Sequence, residues 1–81
     1  MSNWYEWERE LISRLQNEDK EFLELFSRHQ ALEQEVKELE ERAYLSEEQQ
    51  LRLSTLKREK LRVRDRIEEI LRAHKKVVLP A

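Results

Sequence analysis

The chain has no cysteine, no glycine, a single proline (Pro80) and only two each of tryptophan, tyrosine and phenylalanine. Without cysteine there can be neither a disulfide nor a thiolate metal site, which fits a reducing compartment. Without glycine and with a single proline, the turns that knit β-rich folds lose their usual residues, which argues against a β-rich fold. No apolar run approaches the roughly 18 residues that a bilayer-spanning helix needs. The opening Met1-Ser2-Asn3-Trp4-Tyr5-Glu6 lacks the basic segment and apolar core of a signal peptide. Together these absences lead us to expect a soluble, cytoplasmic protein.

What is abundant is charge. Of 81 residues, 42% are charged and 38% hydrophobic, a balance typical of long, coiled-coil helices in one small domain spanning 1–81. Disorder is the competing reading of so charged a chain, and a regular apolar periodicity argues against it. The net charge of −2 conceals an asymmetry. Residues 1–45 carry 12 acids and 6 bases, whereas residues 46–81 carry 6 acids and 10 bases. Two halves of opposite sign are suited to lie against each other.

Phe22, Leu25, His29, Leu32, Val36 and Leu39 alternate steps of three and four. This is a heptad seam, with Phe22, His29 and Val36 at a and Leu25, Leu32 and Leu39 at d. Upstream, Trp4, Trp7, Leu11 and Leu15 continue a helical stripe with Ile12 beside it, and Ala43 extends the a series. Glu18 is a flaw at d. A first helix over about 3–43, capped by Ser2 or Asn3, would be roughly 60 Å long. Ser46, followed by Glu47, Glu48 and then Gln49, forms a capping box and marks the start of a second helix over about 47–74. That helix places Leu53, Lys60, Ile67 and His74 at a, and Leu56, Val63 and Ile70 at d. The remainder, 75–81, loses the pattern and is expected to fray.

A short connection makes the two helices antiparallel neighbours. The expected fold is therefore all-α: an antiparallel two-helix hairpin of coiled-coil type, able to oligomerise into a helical bundle. Its layers pair Leu39 with Leu53, Val36 with Leu56, Leu32 with Lys60, His29 with Val63, Leu25 with Ile67, Phe22 with Ile70, and Glu18 with His74. On one flank Glu33 is expected near Lys57. On the other, Arg28 falls near Arg66 and Glu35 near Glu59, which long side chains can avoid by reaching diagonally or by taking in another molecule.

The segments Glu10-Leu11-Ile12-Ser13-Arg14-Leu15, then Phe22, Leu25-Phe26, His29 and Leu32, with Leu56-Lys57-Arg58-Glu59-Lys60-Leu61 and Asp65-Arg66-Ile67, resemble the YdcH-like family of small bacterial proteins of unknown function. The resemblance covers about residues 9–72. The acid that follows Leu32 is Glu33, where the family tends to have Asp. The resemblance implies an α-helical hairpin in a bacterial protein and implies no known activity.

No constellation of catalytic, cofactor-binding or metal-ligating residues stands out. A hairpin offers no concave pocket, so we expect no enzyme, no cofactor and no small-molecule substrate. His29, at a core a position, is either a structural polar residue that sets register or a pH-sensitive switch. A metal site would need converging ligands, and His74 lies three layers away, on the order of 15 Å. Lys60 interrupts the second seam; its stem is expected to cover apolar surface while the ammonium reaches water or an acid. The candidate polar core positions are thus Glu18, His29, Lys60 and His74.

Arg52, Lys57, Arg58, Lys60, Arg62, Arg64 and Arg66 raise the alternative of an accessory nucleic-acid-binding surface, with Arg58, Arg62, Arg64 and Arg66 as its contacts. They spread around the helix without interleaved aromatics, as a solvated, ion-paired face would. The stripe Trp4, Trp7, Leu11, Ile12 and Leu15 extends past the end of the second helix in the two-helix layout. Only Val77, Val78 and Leu79 would be at hand to cover it. With Phe26, and with Leu23 and Leu71 also off the seam, it forms the candidate interaction surface. The acids Glu6, Glu8 and Glu10 on its polar side disfavour an anionic membrane. The expected role is a non-catalytic protein-interaction or self-assembly module, whose partner is a second copy or another helical protein.

Overall fold

A computed structural model describes the backbone of residues 4–78 and the side chains through His74. Its described residues form three helices and no strand: α1 (Glu6–Glu18), α2 (Lys20–Glu40) and α3 (Glu47–Val78). Helices α2 and α3 make the antiparallel hairpin, and α1 folds back onto it. The molecule measures 52 × 24 × 18 Å.

The start of α3 follows directly from local sequence. Ser46 Oγ accepts from the Gln49 N–H at 3.1 Å, and Gln49 Oε1 accepts from the Ser46 N–H at 3.0 Å. The two residues thus satisfy end-of-helix donors reciprocally, as the capping box requires. The hairpin register is carried by ion pairs on both flanks. Arg28 pairs with Glu59 and Glu35 with Arg52, one heptad apart on each helix, while Glu40 pairs with Lys57 on the other flank. Matching g with g and e with e is what an antiparallel heptad pair demands. By reaching diagonally, Arg28 and Glu35 each meet an opposite charge, although Arg66 and Glu59 line the same grooves. Lys57 goes to Glu40 at 2.7 Å, so the expected pairing with Glu33 is replaced.

The expected single helix over 3–43 does not form. Asp19 takes an extended conformation, φ −130° and ψ 107°, and divides the segment into α1 and α2. Its carboxylate accepts from the Phe22 N–H at 3.2 Å, capping the new helix. At the other end α2 stops at Glu40; Ala43 is exposed and adds no core contact that would hold a last turn. Helix α3 continues to Val78, so residues 75–78 are helical rather than frayed. The proposed caps Ser2 and Asn3 lie outside the described residues, and α1 begins instead after Tyr5, whose N–H donates to Glu8 Oε1 at 2.9 Å.

The core changes character along the hairpin. Near the connection it follows the a and d positions, with Leu32, Val36, Leu39, Leu56 and Val63 buried. Toward the open end it moves to a and e. Phe22, Ile67 and Leu71 are 0% exposed and Phe26 is buried, whereas the d residues Leu25 and Ile70 are only half-buried. The reason is α1, which covers the e flank and adds Ile12 and Leu15 to the same core.

Candidate interaction site

The groove under α1 is built from a and e residues of two helices. Phe22 and Phe26, one turn apart on α2, stack with ring centroids 6.1 Å apart. Trp4, just before α1, lies 6.2 Å from Phe26 and meets His29 edge-on at 6.1 Å. The Arg64 guanidinium of α3 sits 4.2 Å from the Trp4 ring, a cation–π distance, and its Nε donates to Glu68 at 2.9 Å. Trp7 and Leu11 are half-buried against this cluster, and Ile12 and Leu15 are buried. Past Trp4 the flank continues as an open groove lined by Phe26, Gln30, Glu33, Lys37, Glu40 and Lys60.

These positions correct the expected interaction surface. Trp4, Trp7, Leu11, Ile12, Leu15 and Phe26 do come together, but as an internal contact rather than an exposed patch. The turn at Asp19 brings the stripe back over the hairpin, where the straight helix would have carried it beyond the end. A cover formed by Val77, Val78 and Leu79 falls on side chains outside the described residues. Leu71 is fully buried beneath the fold-back, and Leu23 stays 42% exposed on the opposite side of α2.

The polar positions separate likewise. His29 is 1% exposed, and neither ring nitrogen has a hydrogen-bond partner. Its Nδ1 lies 3.9 Å from a Glu33 carboxylate oxygen, an ion-pair distance only when the ring is protonated. Burial pushes the His29 pKa below its usual 6.5; Glu33 opposes that shift, while Arg64 and Lys60 add to it. Lys60 is half-buried beside the groove. The expected layer of Glu18 with His74 does not form, because the break at Asp19 takes Glu18 out of the seam. Glu18 instead pairs with Arg14 at 3.5 Å, and His74 Nδ1 lies 3.0 Å from the Ile70 carbonyl.

On α3, Arg58 and Arg62 are exposed, whereas Arg66 pairs with Glu69 and Arg64 is held between Glu68 and Trp4. The four do not form one patch. Lys57 donates to Glu40 and holds that carboxyl below its usual pKa. Among the described residues there is no cluster of three or more metal-ligating side chains, and no helix is long and apolar enough to cross a membrane.

The heptad pattern does not reveal Asp19, whose turn creates the site. A signal was present: Asp19 follows Asn17 and Glu18, so a residue type favoured at helix N-caps stands where the seam already fails. Arg64, one of the nucleic-acid candidates, lies over the Trp4 ring.

Comparison with known proteins adds one finding. A family described as "Protein of unknown function (DUF465)", to which YdcH-like proteins belong, matches residues 22–71. The match covers most of the hairpin and leaves α1 outside it. No curated protein and no solved structure matches the chain.

Proposed function

The chain belongs to the DUF465 family, and from that premise we propose that it is a non-catalytic protein-interaction module whose hairpin binds an amphipathic helix along its aromatic flank. One observation carries the reading: the groove of Phe22, Phe26, His29 and Leu71 already holds such a helix, the chain's own α1. Helix-in-groove recognition depends on apolar anchors at helical spacing, and Trp4, Leu11, Ile12 and Leu15 supply them. The basic rim of Lys60 and Arg64 suits an acidic helix, and α1 carries Glu6, Glu8 and Glu10.

A peptide-binding titration tests this. Trp4→Ala/Ile12→Ala in the full chain loosens α1. A fluorescent peptide of residues 4–18 should then bind this variant with micromolar affinity and bind the unaltered chain far more weakly. A loosened variant that takes up no peptide at high micromolar concentration rules the reading out.

Nucleic-acid binding is the second reading, favoured by the exposure of Arg58 and Arg62. It requires salt-sensitive binding of an oligonucleotide that Arg58→Ala/Arg62→Ala abolishes. No binding even at low salt would eliminate it.

A further inference from the structure

We propose that Asp19 is a hinge through which α1 exchanges between two copies of this chain, so that each copy's groove is filled by the α1 of the other. This rests on the interaction reading above and names the partner as a second copy.

The first support is the hinge itself. Asp19 is the only residue between α1 and α2 that is not helical. Helical bonding persists on either side of it, since the Asp19 N–H donates to Leu15 O at 2.8 Å and the Leu23 N–H donates to Asp19 O at 3.0 Å. Between those two bonds the ladder is interrupted. Lys20, Glu21 and Phe22 form the first turn of α2, so their N–H groups have lost the carbonyls of Gln16, Asn17 and Glu18. Only Phe22 is compensated by the Asp19 carboxylate among the hydrogen bonds at this turn.

The second support is register. Trp4, Leu11, Leu15, Phe22 and Leu25 all fall at d or a positions of one frame with no change of phase at position 19, although Glu8 and Glu18 interrupt the apolar series. Rotating Asp19 into the helical region therefore yields one continuous helix, 6–40, whose apolar stripe keeps its phase through the interruption at Glu18. A single molecule cannot have both the continuous helix and the filled groove, because a straight helix carries α1 away from Phe26, His29 and Leu71. Two molecules can. If the long helices lie antiparallel and cross near Asp19, each α1 reaches the partner's groove with the contacts it makes within one chain. The interrupted backbone bonds are then restored at no loss of burial. Short hinges that close an element onto its own chain are the setting in which such exchange arises.

The third support is that the exchanged element completes the site. Trp4 covers His29 and lies against Arg64, so each groove would be assembled from two chains.

Because the chain has no cysteine, Tyr5→Cys/Glu68→Cys places the only thiols on the residue that precedes α1 and on α3, at positions that line one cleft with Trp4, Glu8 and Arg64. A short bis-maleimide is applied after fractionation by size. Asp19→Ala removes the cap and favours the continuous helix, so it should raise the dimer association constant roughly tenfold or more. Asp19→Asn keeps a capping side chain and should follow the unaltered chain. Exchange requires links between chains in the dimer fraction and within chains in the monomer fraction. A dimer linked only within chains, or Asp19→Ala associating no more than the unaltered chain, overturns the proposal. If Asp19→Ala does not fold, the thiol pair in the otherwise unaltered chain, concentrated and then fractionated, decides. Links between chains in its dimer fraction uphold exchange; absence of a dimer, or links within chains alone, overturns it. Those failures leave the peptide titration intact, so the loss of the exchange is distinguishable from the loss of the groove.

Discussion

His29 is enclosed by Trp4 and Phe26, with Glu33 on its own helix and Lys60 and Arg64 reaching it from α3. Its unpartnered ring nitrogens carry a desolvation cost of about 1–3 kcal/mol, which an apolar residue of similar size would remove. The neutral ring is favoured in the folded state, because burial first, and then the two cations, lower its pKa beneath 6.5. In the unfolded chain the ring protonates near that ordinary value. Below it the unfolded state therefore binds more protons than the folded one, and stability falls as pH falls until the folded-state pKa is reached. The expected outcome is constant stability above about pH 6.5 and an acid-side decline that His29→Leu removes from urea titrations. His29→Leu should also be neutral or stabilising at pH 7. An unchanged acid slope in that variant would assign the decline to other groups.

The two helix starts obey the same rule with different visibility. Ser46 stands where the apolar pattern breaks and has Gln49 three residues on, so its cap could be read directly. Ser46→Ala should cost about 1 kcal/mol, and Ser46→Asp should recover most of it, measured by thermal unfolding. Asp19 lies inside a stripe whose phase continues, so periodicity alone favours a straight helix there. What tips the balance is burial of Ile12 and Leu15 and partial burial of Trp4, Trp7 and Leu11 against interruption of one turn of backbone bonding. That comparison is between elements, and no window of local sequence contains it.

For the molecule as a whole, the displaced core makes an unusual ranking. A simple a/d hairpin would bury Ile70 and expose Leu71; with α1 in place the order is reversed. Leu71→Ala should therefore cost more than Ile70→Ala, with about 2–5 kcal/mol for the former, read from denaturant midpoints. Leu23→Ala, on the open face, should stay within about 0.5 kcal/mol. The flank ion pairs of Arg28, Glu35 and Arg52 are largely solvent-exposed and set register more than stability. Raising salt from low to high concentration should shift stability by less than about 1 kcal/mol. A larger loss would mean that charge rather than burial holds the hairpin.

The all-α class, the heptads, the antiparallel order and the start at Ser46 follow from the sequence by itself. Helical periodicity and capping are set by residues three or four apart, and the short connection leaves little choice of topology. The tertiary structure decided the third helix, the a-to-e shift, the burial of Ile12 and Leu15 and the placement of Trp4 against His29. An apolar stripe in this chain has two ways to be buried, by continuing toward another molecule or by turning back on its own hairpin. Their free energies differ through contacts between residues far apart in sequence, such as Trp4 with Arg64, which periodicity does not encode.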